Sequence, residues 1–572
     1  MTGARVVLGL CAFTHDSAAA LLVDNRLVGF AEEERLTGEK HTAAFPEKAV
    51  AWLLDTASLD PSDVNVVAYN FDGRRYLDAL AAIDLYSQMP ATRDRAKPRA
   101  DSFCKVHDRF GTRMADLRER FPRARVEPVL HHRAHGLYAF ASSGYDAGAV
   151  LVVDSLGEVQ TTTIGSGLRL NGGGCRTSIT EDIVDPASLG YAYGAVTEHL
   201  GWRRGDEEGT VMALAALGDP SRFRAMMLEA ISITDRGFGL DPRLFPLRVL
   251  ARGYPRVSPD FIAATCPARD PAAPVDQVYA DLAAALQERT EQVMVHLAHR
   301  ARAVTGLRLL CLGGGVAANC VAVGKIVEAG IFDEVHVPPA PGDSGTAIGA
   351  ALAANLDTGR YLATGVTDRC YLGPAYPHVE LPKHPRPGLT AHRPTAPAKH
   401  LAIKLAEGHT VGLFQGGLEA GPRALGNRSI LASPLLPDVV ANLNATVKFR
   451  EPFRPFAPVV LASAAAAYFT LPQPAPFMSI ASGVTALTRD QIPTIVHVND
   501  TARVQTVAPE SNPFLAEVLT EFAAITGHPV LINTSLNIKG KPICGTPDMA
   551  LDCLTSSGLD ALMLEGWWVA KC

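Results

Sequence analysis

Two stretches of this chain share one layout, and that layout limits the fold more than any other feature of the sequence. Residues 5–10, 18–23 and 27–32 are short apolar, β-leaning runs joined by turn residues, and the first join, CAFTHDS, is a polar loop carrying His15 and Asp16. The pattern returns at residues 149–165, where AVLVVDSLGEVQTTTIG is again strand, polar turn with an acidic residue, and strand. A supersecondary unit that recurs predicts an internally duplicated α/β domain. Helical periodicity fills residues 46–57, 114–121 and 131–142, and a long helix is predicted over 276–305, followed by a β-run at 308–312. Residues 367–399 carry seven prolines in 33 positions. That density predicts a linker, with one domain over 1–366 and a separate α/β domain over 400–572.

Composition narrows the class. Of 572 residues, 47% are apolar and 20% charged, the profile of a globular enzyme, and a net charge of −6 argues against a large nucleic-acid footprint. The N-terminus MTGARVVLGL has no signal-peptide layout, and no apolar run approaches a membrane span. Ten cysteines without a CxxC pair indicate neither a disulfide framework nor a zinc ribbon. The expectation is a reduced, cytoplasmic protein with no membrane and no nucleic-acid partner.

The residues with chemistry fall into groups. Residues 414–456 place Arg423, Arg428, Lys448, Arg450 and Arg454 among Gly, Pro, Asn and Ser, with only Glu419, Asp438 and Glu451 opposing them. Guanidinium forks in a turn-rich segment suit phosphate oxygens. Arg503, and Asn533, Thr534, Ser535 and Asn537 at the end of a β-run, add donors. His131 and His135 stand four apart, on one face of a helix. Asp154 ends an apolar run, and Asp343 precedes a small-residue helix. Two imidazoles with two carboxylates form a mixed set suited to Fe(II), Mn(II) or Zn(II). Gly313, Gly314, Gly315 and Asn319 form a glycine-rich strand–helix turn, which serves a nucleotide or tight packing equally well. His15 reads by itself as a turn histidine, and the run EEER at 32–35 as strand end and surface.

GPRALGNRSIL, the Lys448-Phe449-Arg450-Glu451 and Phe453–Pro458 segments and LINTSLNIKGKPI together resemble the antibiotic and nodulation O-carbamoyltransferases along nearly the whole chain. The resemblance implies a duplicated actin-like domain followed by a YrdC-like domain that makes carbamoyl-adenylates. It implies iron on His131, His135, Asp154 and Asp343, and adenosine at Gly313–Gly315 and Asn319. It puts His15 in the transfer step, with Asp16 and Lys40 beside the acceptor. Carbamoyl phosphate and ATP with Mg(II) would meet on Arg423, Arg428, Lys448, Arg454, Arg503, Asn533 and Ser535, with Arg423, Lys448 and Arg454 acting in adenylate formation. The acceptor would be a hydroxyl of a small natural product; which one, and whether the chain forms a homodimer, stay open. Two departures stand out. Thr210 occupies a position where the family commonly has lysine, and CAFTHDS lacks the asparagine often found before the histidine. The competing readings are a tRNA threonylcarbamoyl-adenosine enzyme, a hydrogenase-maturation carbamoyltransferase, for which CxxC pairs are missing, and a non-catalytic nucleotide-binding regulator of actin-like fold.

Overall fold

The structure, a computed structural model, describes residues 4–171, 173–357 and 363–572. They divide into two units. The first comprises Met1–Val28, Ala43–Pro46 and Leu53–Asp368, the second Gly29–Thr42, Glu47–Trp52 and Arg369–Cys572.

β1 (Val6–Cys11), β2 (Ala18–Val23), β3 (Arg26–Glu32), whose residues from Gly29 on are counted with the second unit, β4 (Val66–Tyr69) and β5 (Arg125–Pro128) form a sheet in the order β3-β2-β1-β4-β5. β1 runs antiparallel to β2 and parallel to β4, which is parallel to β5. A second sheet repeats the plan with β6 (Ala147–Gly157), β7 (Gln160–Arg169) and β8 (Cys175–Val184). After the small ribbon β9 (Ile231–Thr234) and β10 (Gly237–Leu240), it adds β11 (Leu309–Gly313) and β12 (Glu334–His336). Its order is β8-β7-β6-β11-β12, again antiparallel over the first three strands and parallel beyond. The strand order coincides, as do the senses of β2-β1-β4-β5 and β7-β6-β11-β12, so the repeat seen in the sequence is a duplicated α/β topology. The helix Thr346–Leu356, TAIGAALAANL, packs on both β1 and the helix His131–Ser143. A side chain at Gly349 would lie 1.9 Å from the Ala134 carbonyl. Small residues let the two helix backbones touch, and this fixes Asp343, in the turn before the helix, over His131 and His135.

The second unit holds one mixed sheet of eight strands. They are β13 (Leu389–His392), β14 (Val411–Phe414), β15 (Arg428–Ala432), β16 (Ala457–Leu461), β19 (Gln505–Val507), β20 (Val530–Ser535), β21 (Ala561–Leu564) and β22 (Trp567–Lys571), in the order β13-β22-β21-β14-β15-β20-β16-β19. β17 (Ala481–Gly483) and β18 (Thr501–Arg503) form a separate pair. Side chains alternate across the strands, so Ile430, Val530 and Ile532 enter one apolar core while Leu431, Leu531 and Met563 enter another. Both faces are covered, which is why these strands read as continuous apolar runs.

The proline-rich stretch read as a linker carries the edge strand β13, paired with β22. The seven prolines of the stretch all lie outside β13, flanking it on both sides. The EEER run is not surface: Glu32, Glu33, Glu34 and Arg35 are all buried. Arg35 donates to Glu32 at 3.0 Å and to the Gly421 carbonyl at 2.9 Å, and lies 3.2 Å from Glu34. The Glu33 carboxylate accepts from the amides of Lys48 and Ala49 at the start of the helix Glu47–Thr56. Among the described residues no helix is long and apolar enough to cross a membrane.

Candidate active site

His131 and His135 stand one helical turn apart, and their Nε2 atoms approach to 3.0 Å. His131 Nε2 lies 3.3 Å from Asp154 and 3.5 Å from Asp343, and His135 Nε2 is 3.8 Å from Asp343. One donor atom from each of the four lies within 4.8 Å of the others. Asp154 enters the group because the register of β6 shifts between Val153 and Gly157; an irregularity of this kind re-aims a side chain. The surroundings fix the donors. His131 Nδ1 faces the Asn70 carbonyl at 3.3 Å, which directs Nε2 inward, and the ring stacks on Phe71 with centroids 4.2 Å apart. The Gly315 amide donates to Asp154 Oδ1 at 2.9 Å, leaving the other oxygen for the centre. Burial disfavours charge here, yet His131 is held well above its ordinary pKa by Asp343 and Asp154, and Asp343 well below its own by His131 and His15. Two imidazole nitrogens and two carboxylates so arranged fit a divalent cation, whose charge would replace the imidazolium proton.

His15 sits in the β1–β2 turn, where Phe13 and Asp16 have positive φ of 63° and 59°. Its side chain is 59% exposed, with Nδ1 2.8 Å from Asp16 and Nε2 3.6 Å from Asp343. Two histidines, two aspartates and the His15–Asp16 pair therefore converge in the first unit. Lys40 belongs to a segment of the second unit. A residue the sequence reading left out, Glu158, is buried and accepts from the amides of Asp72 and His131. Burial pushes its carboxyl up to about 7. Its signal was the DSLGE turn, four residues past Asp154.

The glycine-rich turn has a packing role. Gly314 adopts φ 89°, and a Cβ there would lie 2.3 Å from the Val153 carbonyl. A Cβ on Gly313 would press on the His135 carbonyl, and Gly315 supplies the amide that holds Asp154. Asn319 caps the helix Cys320–Glu328 through Ala322 and exchanges hydrogen bonds with Gln287, so its amide is already engaged. Thr210 is buried in the helix Glu208–Ala215, and its hydroxyl has no partner among the described residues.

In the second unit Arg428 departs from its expected role as a phosphate ligand. It is fully buried, stacks over Phe414 at 3.7 Å, and donates to the carbonyls of Gln415, Asn427, Gly416 and Pro374. Its fork holds the loop together from inside. Glu419, which the sequence offered only as a counter-charge, does the same from the other sign: one oxygen accepts from the amides of Leu425, Asn427 and Arg428. Asn533 is likewise buried, donating to Gln505 and the Ala424 carbonyl. Arg423 and Arg503 are half-buried, and Arg454 is 28% exposed, 3.8 Å from Glu451. Lys448 is buried against the carbonyl and hydroxyl of Ser535 and the carbonyl and amide oxygens of Asn537.

These cations crowd one another. Burial, then Arg450 and Arg454, push Lys448 from its ordinary 10.5 down to about 7. Burial, then Arg454 and Arg503, push Arg450 down to about 9. Arg450, absent from the expected ligand set, thus stands within the group, donating to Asn444 and lying over Phe456. The Arg503 Nε is buried without a hydrogen-bond partner among the described residues. Like charges gathered below a surface, one with an orphaned donor, are the electrostatics of an anion site.

Comparison with known proteins decides the family. The models for the carbamoyltransferase N-terminus and the carbamoyltransferase C-terminus match residues 6–352 and 402–571. The chain belongs to the carbamoyltransferase family. This carbamoyltransferase is 34% identical to the uncharacterized protein sll1178 of Synechocystis, over 99% of its own length and 96% of the relative's. It is 32% identical to the nodulation protein NolNO of Sinorhizobium fredii, over 98% and 79%. Among solved structures, component A of the Acidaminococcus fermentans (R)-2-hydroxyglutaryl-CoA dehydratase aligns with 61% of this chain and 97% of its own at 14% identity and TM-score 0.31, a likeness too weak to carry any inference.

Proposed function

We propose that this carbamoyltransferase makes carbamoyl-AMP from ATP, taken with Mg(II), and carbamoyl phosphate in its second unit, and in its first uses that adenylate to carbamoylate a hydroxyl of a small natural product. One observation carries the reading: Lys448, Arg450, Arg454 and Arg503 are gathered so closely that, beyond the effect of burial, Arg450 and Arg454 disfavour charge on Lys448, and Arg454 and Arg503 disfavour it on Arg450. Two polyanionic reactants repel on contact, and guanidinium forks on their phosphate oxygens remove that barrier. The balance consumes one water. Carbamoyl phosphate splits to carbamate and phosphate, a carbamate oxygen attacks the α-phosphorus of ATP, and pyrophosphate leaves.

In the transfer step the acceptor oxygen bonds to the carbamoyl carbon while the bond from that carbon to the AMP oxygen breaks. AMP departs with the electron pair. Asp343, 3.6 Å from Nε2, and then Asp16 raise the His15 pKa to about 9, so the neutral form, with Nδ1–H donated to Asp16, is the one that would take the hydroxyl proton at Nε2, and Asp343 stabilises the imidazolium that forms. His131, His135, Asp154 and Asp343 would hold a divalent cation, Fe(II) on the family resemblance and Mn(II) or Zn(II) on donor type, which supplies Lewis acidity toward a phosphate or carbonyl oxygen.

Protein given ATP, Mg(II) and carbamoyl phosphate, without RNA or acceptor, is expected to release pyrophosphate. Absence of release at saturating levels of both overturns the reading. Affinity for ATP carries a pH signature from Lys448. Its ammonium is populated below about 7 and lost above, whereas Arg450 stays charged to about 9. If the ammonium is the binding form, the calorimetric Kd for ATP weakens by about tenfold per pH unit above neutrality. Lys448→Arg is expected to flatten that slope, and a Kd equal at pH 7 and pH 8.5 in the parent protein contradicts the assignment.

A further inference from the structure

Beside the four-residue set the first unit contains a cavity of about 170 Å³. Tyr69, Phe71, Tyr76 and Phe110 wall it, and Thr14 stands at its edge, next in sequence to His15. Phe71 is shared: one face of its ring stacks on His131, so the cavity and the histidine pair touch through a single side chain. Among the described residues Arg113 is the one charged side chain in the wall, and it already donates to the Phe13 carbonyl at 2.7 Å and the Tyr69 hydroxyl at 3.3 Å. Among the described residues no carboxylate lines the space. Tyr76 stays a neutral phenol, because burial and then Glu158 raise its pKa well above the ordinary value.

From this lining we infer that the acceptor is a neutral, ring-bearing alcohol whose ring fills the aromatic cavity while its hydroxyl points toward His15, and that polycationic amino sugars are excluded. The inference rests on the transfer reading above and adds the substrate class to it. An apolar cavity of about 150 Å³ is known to take a benzene ring, so the volume here suits one six-membered ring. An ammonium group entering it would lose its hydration, meet Arg113, and find no carboxylate to pair with. Aromatic faces offer a ring both area and edge-to-face contact. Arg113, the cation in the wall, is already engaged by the Phe13 carbonyl and the Tyr69 hydroxyl, which favours a ring over a phosphate group.

The test supplies ATP, Mg(II) and carbamoyl phosphate to the full chain with 2-phenylethanol, cyclohexylmethanol or 2-deoxystreptamine, and measures carbamate ester by mass spectrometry and pyrophosphate in the same tubes. The expected result is kcat/KM at least tenfold higher for either ring alcohol than for the aminocyclitol. Phe110→Asp is expected to lower the ring-alcohol value at least tenfold. Leu250→Trp, a change at a half-exposed wall position that leaves the core untouched, is expected to raise KM by a similar factor. Pyrophosphate release with carbamoylation of 2-deoxystreptamine at equal or higher efficiency, or with no ring-alcohol ester, overturns the acceptor class alone. Absence of pyrophosphate release overturns the underlying reading instead.

Discussion

Asp343→Asn is expected to reduce carbamoyl transfer from supplied carbamoyl-AMP by on the order of 10³-fold, while pyrophosphate release driven by ATP and carbamoyl phosphate stays within about twofold of the parent. Asp343 is the position on which the first unit converges: its two oxygens face His131 and His135 on one side and His15 on the other, at 3.5, 3.8 and 3.6 Å. Asparagine keeps the shape, so the small-residue helix that follows keeps its seat on β1. It removes the negative charge that makes two adjacent imidazoles a cation site and steadies the His15 imidazolium. Metal analysis of the purified variant provides a readout apart from catalysis, with bound divalent cation expected to fall. Loss of pyrophosphate release in step with transfer would refute the division between the two units.

What the sequence disclosed, and what it hid, follows from the range of the forces involved. The duplication was legible because turn residues and β-leaning runs act locally, and each copy carries its own punctuation. The His131, His135, Asp154 and Asp343 group was legible for another reason: chemically distinctive residues stand at the ends of elements whose packing is dictated by small side chains. Arg428 was not legible. A guanidinium among glycines and asparagines looks the same whether its loop opens toward a ligand or turns inward, and only the four carbonyls gathered around it decide. The burial of Glu32–Arg35 was hidden too, since Arg35 finds the Gly421 carbonyl 386 residues away. Charge runs are read as surface because lone buried charges are costly; a paired cluster escapes that rule, and no local pattern announces the partner. The short strand inside the proline-rich segment was hidden as well, for it has only four residues and its partner β22 lies at the far end of the chain.

Arg503→Ala should give the mirror image of the aspartate variant: adenylate formation reduced by on the order of 10²–10³-fold, with transfer from supplied carbamoyl-AMP retained. Arg503 closes β18, and its Nε is buried with nothing to donate to among the described residues. A donor left in that state costs stability unless a ligand satisfies it. Deleting the side chain should therefore leave the melting temperature unchanged or slightly raised, which separates loss of a ligand contact from loss of fold. Arg503→Lys is expected to recover little, because a point charge on a flexible stem cannot reproduce a planar fork on two phosphate oxygens. The stability readout is the sharper half of the test. A lower melting temperature together with normal pyrophosphate release would mean that the cation serves the fold, as Arg428 does, and that the anions bind elsewhere. Opposite losses in Asp343→Asn and Arg503→Ala, with overall carbamoylation by Arg503→Ala alone rescued by supplied adenylate, would leave carbamoyl-AMP as the species that links two chemistries on one chain.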